Sequence, residues 1–261
     1  VSLSPSVTEI IFAIGAGDKL AGVSDYCDYP EGALEKPKVG GYMSPNFEAI
    51  ARLKPDLVLL VGVQNEGKNR LEKLGFKTET VSNASVDDVI STMLVIGELL
   101  DAKEKAELLA KSLKSRLEAI VEKTKGRKKP TLLFVVGRDY GANTIRNVFV
   151  AGKNSFFNDL IKIAGAVNAY EGSNIDYPKL SAEAIIRLRP DIIVEAPYGH
   201  VDDDPSGNAI KKDWDALALE GFKNYAKIHI LRERFMVRPS PRMVELAETL
   251  AKIAHPDAGW E

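Results

Sequence analysis

The side chains of this sequence best suited to holding another molecule are aromatic, and they gather in its loops. Tyr26, Tyr42, Tyr140, Tyr177, Tyr198 and Phe235 fall in "SDYCDY" (24–29), "VGGYMSPN" (39–46), "VGRDYG" (136–141), "SNIDYP" (173–178), "APYGH" (196–200) and "ERFMVRPSPR" (233–242). Such rings offer broad apolar faces, so loops that carry them suit a large, flat, partly apolar ligand. Side chains that break bonds form no recognisable pattern. There is no GxGxxG, no GxxxxGK[ST] and no GxSxG, so the dinucleotide, P-loop and hydrolase readings lack their marks. His200, His229 and His255 are scattered, without the spacing of a zinc site. Cys27 is the only cysteine; it forms no internal disulfide and reads as a small buried hydrophobe. The acidic triplet Asp202, Asp203 and Asp204 lacks the glycine and distal glutamate of a calcium loop. No catalytic residue, resident metal or cofactor is expected, and the chain reads as a binder, not an enzyme.

The elements that must position these loops follow from pattern. The chain has 261 residues, 45% of them hydrophobic and 28% charged, with a formal net charge of -2. That balance lacks the concentrated basic face of a nucleic-acid binder; the basic run 123–129 reads as a solvated helix end. No apolar run approaches the ~18 residues of a membrane span. The chain opens on "VSLSPS", with neither a charged nor an apolar leader region, so any secretory signal is expected outside this sequence. Glutamine occurs once, as Gln64, among abundant Lys and Glu, a pattern associated with heat adaptation.

"SPSVTEIIFAIGAG" predicts a helix with a Ser6–Glu9 capping box and Gly15 just past its end. "DLVLLVG", "TLLFVVG", "DIIVEAP" and "KIHIL" read as strands, the continuous apolar runs as strands buried on both faces of parallel sheets. Between 86 and 125 the pattern is helical throughout, and Asp101 with Glu104 splits it into helices at about 86–100 and 102–125. "SPRMVELAETLAKIAHP" predicts a last helix with Ser240 as N-cap and Pro241 at the first position. "FEAIARLKPDLVLLVG" (47–62) and "AEAIIRLRPDIIVEAP" (182–197) repeat one helix, L-[KR]-P-D and strand, which points to duplicated lobes. The expected fold is α/β: two Rossmann-like lobes with parallel sheets, 1–101 and 126–261, joined by one long helix at 102–125. A ligand cleft is expected between the lobes, with strand-end loops at its rim.

"SLSPSVTEIIFAIGAGDKLAGVSDYCDYP", "PKVGGYMSPNFEAIARLKPDLVLL", the mid-chain helix and "SPRMVELAETLAKI" together resemble the class III substrate-binding proteins of ABC importers, which take up cobalamin, ferric siderophores and haem. The resemblance runs end to end and is nearest the cobalamin (vitamin B12) branch. It implies an extracytoplasmic protein, periplasmic or membrane-anchored, that captures a large metal chelate and hands it to permease subunits, with a monomer expected. Tyr42 falls where that branch places an aromatic over the corrin, and Tyr177 and Phe235 fall at its other aromatic positions. Where the branch's well-known member has a tryptophan after the LKPDLV strand, this chain reads "LLVGVQ". A haem ligand would draw on Tyr42 or Tyr140 for iron, and an anionic siderophore on Arg138 and Arg238. The resemblance also implies one acidic permease-docking point per lobe, at Glu66 and at Asp202, Asp203 or Asp204. Outside this class stand a sensor domain and a two-lobed metal-cluster enzyme; the latter needs cysteine ligands that a lone Cys27 does not supply.

Overall fold

The computed structural model describes residues 1–140, 144–197, 208–217 and 226–260. They divide into two units, Val1–Lys114 with Arg238–Pro241, and Ser115–Val237 with Arg242–Glu261.

The first unit holds α1 (Pro5–Ala13), α2 (Glu31–Leu34), α3 (Phe47–Leu53), β1 (Val58–Val61), α4 (Asn65–Lys73), β2 (Thr78–Val81), α5 (Val86–Leu99) and the start of α6 (Lys103–Thr124). β1 pairs in parallel with β2. Single parallel bridges extend this pair through Ser2, Val23 and Lys38, so five segments lie side by side in the order 38–39, 22–24, 2–3, β1, β2. Val1, Leu3, Val39, Ile50, Val58, Leu60 and Leu71 form one buried cluster here. Every side chain of β1 is buried, as its unbroken apolar run requires.

The second unit holds the rest of α6, then β3 (Thr131–Asp139), β4 (Arg146–Val150), α7 (Phe156–Ile163), β5 (Val167–Asn168), β6 (Lys179–Leu180), α8 (Ala182–Leu188), β7 (Ile192–Glu195), α9 (Asn208–Leu217), β8 (Lys227–Ile230) and α10 (Met243–Ala254). Its sheet runs β6-β4-β3-β7-β8, with β5 also beside β3. β3, β5, β7 and β8 are parallel. β4 alone runs the other way, antiparallel to both β3 and β6, so this sheet is mixed where the sequence pattern predicts a parallel one. The cause is local. β3 continues beyond the expected strand end at Gly137 through Arg138 and Asp139, and the chain folds back as "RNVFV", whose burial alternates as in a one-sided strand.

Two helix starts also differ from expectation. Ser4, not Ser6, is the N-cap of α1, with Pro5 at the first position. α10 starts at Met243, with Arg242 as N-cap. Glu9 and Ser240, read as capping residues, instead bond to each other: Ser240 Oγ donates to Glu9 Oε2 at 2.8 Å.

Candidate ligand-binding site

In the first unit the loops that follow the parallel segments carry an apolar and aromatic surface. Tyr26 is 51% exposed, Met43 65% and Val63 64%, and Tyr42 is half-buried. The loops of Tyr26 and Tyr42 touch. The Asp25 N–H donates to the Gly40 carbonyl at 2.9 Å, and a Cβ built on Gly41 would lie 3.8 Å from the Tyr26 ring. The same unit holds a group of buried hydroxyls. Ser4 and Ser6 share a hydrogen bond of 2.8 Å, and the Cys27 thiol lies 3.2 Å from Thr8 Oγ1 and 3.3 Å from Ser24 Oγ. Cys27 is thus buried, as its isolation in the sequence suggests.

Gln64, not among the expected site residues, bonds to the backbone of this surface. It is 5% exposed, accepts from the Val61 N–H and donates to the Leu3 and Tyr42 carbonyls. Its being the sole glutamine is the one available signal.

Arg238 lies in the same unit and is buried. Its guanidinium donates to Glu9 Oε1 at 3.2 Å and to both oxygens of Asp28. Burial alone would lower its pKa, but the Asp28 and Glu9 carboxylates outweigh that and hold it further up. Glu66 is exposed in the first turn of α4, where a carboxylate complements the helix N-terminus.

In the second unit Arg138 projects from β3 into a fully buried cluster. Its Nε donates to Glu195 Oε1 at 2.9 Å and its Nη1 to Asp213 Oδ2 at 2.7 Å. The other Glu195 oxygen accepts from the Trp214 indole. Burial pushes the Glu195 pKa up despite the facing guanidinium. The Tyr140 ring lies against Arg138, 4.5 Å from ring centroid to guanidinium carbon. Burial, together with the neighbouring Glu195 charge, raises the pKa of its phenol well above the ordinary value.

Phe235 is half-buried and stacked by Arg242 at 4.4 Å. Tyr177 is 41% exposed and packs edge-on against Phe157. The strand register separates it from Tyr140. Gly152 N–H donates to Asp176 O and Val150 N–H to Pro178 O, and Ala151 in turn donates to Phe134 O. Tyr177 is therefore level with Phe134, whereas Tyr140 follows the far end of β3, on the order of 15–20 Å along the strand at ~3.3 Å per residue. Tyr198, Asp202, Asp203 and Asp204 lie outside the described residues. Among the described residues, no group of three or more His, Cys, Asp or Glu could hold a metal, and no helix is long and apolar enough to cross a membrane.

Each unit is α/β, built around parallel strands, with aromatic side chains on its loops. The chain belongs to the periplasmic binding protein family, whose model matches residues 1–207. It is 32% identical over 265 residues to the uncharacterised ABC transporter substrate-binding lipoprotein YvrC of Bacillus subtilis, covering 98% of this chain and 80% of that one. It is 30% identical over 254 residues to a vitamin B12-binding protein of Vibrio vulnificus, covering 97% and 88%. It shares its fold with a periplasmic haem-binding protein from Pseudomonas aeruginosa, with a TM-score of 0.81, 22% identity and coverage of 98% and 92%.

Proposed function

We propose that this chain is the extracytoplasmic substrate-binding protein of an ABC importer and that its ligand is a corrinoid, delivered to permease subunits. The observation that carries the reading is the surface of Tyr26, Tyr42, Met43 and Val63, which leaves large apolar side chains in water beside a half-buried ring. Exposed apolar clusters of this kind mark binding surfaces, and a flat macrocycle matches their chemistry. The similarity to vitamin B12-binding relatives supports the same ligand.

The charge networks weigh against the competing chelates. Arg138 and Arg238 are buried against two carboxylates each, a poor arrangement for gripping an anionic siderophore. The Tyr140 hydroxyl is buried from solvent, a poor position for an iron ligand, which leaves Tyr42 to carry any haem reading.

Visible-absorbance or calorimetric titration with cyanocobalamin, haem and a ferric hydroxamate tests this. Saturable cobalamin binding below the tens-of-micromolar range is expected, equivalent to about -6 to -7 kcal/mol or better. Its absence, with saturation by haem or the hydroxamate, would transfer the assignment to that ligand.

A further inference from the structure

We propose that Gln64 is a positioning residue that sets the pose of Tyr42 by clamping its backbone; this rests on the reading of Tyr42 as a ligand-stacking ring. The side-chain amide of Gln64 reaches three separate chain segments. Its Oε1 accepts from the Val61 N–H at the end of β1, 2.9 Å away. Its Nε2 donates to the Leu3 carbonyl at the end of the central strand, at 3.0 Å, and to the Tyr42 carbonyl in the neighbouring loop. One acceptor and two donors at a single buried point is a demand that only an amide meets, since lysine and arginine lack the acceptor and a carboxylate lacks the donors.

The Tyr42 loop shows why the clamp matters. Its ends are fixed through the backbone: Asp25 N–H to Gly40 O at 2.9 Å, Asn46 N–H to Val39 O at 2.8 Å, and Gly41 N–H to Ser44 O at 3.1 Å. Gly40 has φ +92°, and a Cβ there would lie 2.5 Å from the Asn46 nitrogen, so its sharp bend requires glycine. Gln64 grips the segment between those ends, at the residue that bears the ring. Holding that carbonyl fixes the backbone from which the Tyr42 side chain departs, so less freedom remains to be lost when ligand arrives.

Gln64→Met keeps the length of the side chain and removes all three hydrogen bonds. The dissociation constant for cyanocobalamin should rise about tenfold, in line with losing hydrogen bonds at buried carbonyls. Amide exchange should quicken across 41–44 and stay unchanged in β2. A cycle with Tyr42→Ala separates positioning from general weakening. If Gln64 acts through the ring, Gln64→Met in the Tyr42→Ala background adds less than about twofold. Independent, multiplying losses, or unchanged exchange at 41–44, would overturn the proposal. Where the Met variant folds poorly, Gln64→Glu serves instead, because its neutral carboxyl donates one hydrogen bond and its ionised form none. Loop protection in Gln64→Glu should then recover as pH falls, and a defect that does not change with pH contradicts the clamp. If the wild-type protein binds none of the three chelates, the ligand reading fails, and the exchange data alone decide the role of Gln64.

Discussion

The two units take one local plan and end it differently. Both build a seven-residue helix, α3 and α8, capped by a side chain that accepts from the third helical N–H, Asn46 in one and Ser181 in the other. Both close that helix with a basic residue in the left-handed region, Lys54 at φ 46° and Arg189 at φ 47°, just before the proline. Both then run a four-residue buried strand beside the first strand of the unit, pairing Ser2 with Leu59 and Leu132 with Ile192. A second shared piece is the turn after α1 and α7, with Gly15 at φ 71° and Gly165 at φ 75°. The difference lies between these pieces. In the first unit the central strand stops at Leu3 and enters α1 directly, whereas β3 continues to Asp139 and returns as β4 before α7 begins. The shared pieces are scaffold, and the units diverge at the strand ends, where open α/β sheets place their ligands.

The sharpest way to break the comparison is through the two buried arginines. Arg138→Met strips Glu195 and Asp213 of their counter-charge in a cluster where all three side chains are buried. It should cost about 3–5 kcal/mol, read by urea or thermal unfolding. Arg238→Met should cost less, because the Asp28 side chain keeps 34% of its surface in water. Equal losses would mean that solvent at Asp28 contributes nothing. The pH dependence has a definite sign. Burial holds the Glu195 pKa above its ordinary 4.5, so the folded state binds more protons than the unfolded state above that value. The Glu195 contribution to stability therefore declines as pH rises through the window. Removing Arg138 should steepen that decline, and a flatter curve would refute the assignment.

Next in size is the ligand surface. Tyr42→Ala should weaken cobalamin binding by about 1–3 kcal/mol in a titration. Tyr177→Ala tests the contrast between the units, because Tyr177 leans on Phe157 and lies far along the sheet from Tyr140. Its truncation should cost stability more than affinity. An unchanged dissociation constant for Tyr42→Ala would remove that ring from the site.

What the sequence disclosed, and what it hid, divides along the same line. The scaffold was legible because its signals are local: an apolar run bounded by proline, a glycine after a helix, a cap three residues from its partner. The strand-end networks were not. Ser6 and Glu9 have the spacing of a capping box, yet the Glu9 partners are Arg238 and Ser240, more than two hundred residues away in sequence, and no local pattern announces such a pairing. The loop reading of Arg138 failed for a related reason. Gly137 and the turn residues after it mimic a strand end, while the partner that keeps the strand going, β4, is recognisable only by burial on one face. Gln64 was hidden because its three contacts are all to backbone, which carries no residue-type signal.

The shared caps give a smaller test. Asn46→Ala and Ser181→Ala should each lose about 1 kcal/mol, since each side chain accepts one otherwise unpaired N–H, at 3.0 and 3.3 Å. Similar losses support a common plan, and a negligible loss at either would show that tertiary packing holds that helix without its cap.

The smallest effect concerns the left-handed residues that end these helices. Outside glycine this conformation costs roughly 1–2 kcal/mol, and glycine brings back about 0.5–1 kcal/mol of its own entropic cost. Lys54→Gly and Arg189→Gly should therefore each raise stability by a few tenths to about 1 kcal/mol, seen as a higher unfolding midpoint. The two backbones are almost identical, φ 46° with ψ 54° and φ 47° with ψ 55°, so the backbone share of the gain should match. If one substitution stabilises and the other does not, the difference must come from the side chain that was lost. The basic residue in that unit would then be held there by its contacts, although the turn it makes would suit glycine better.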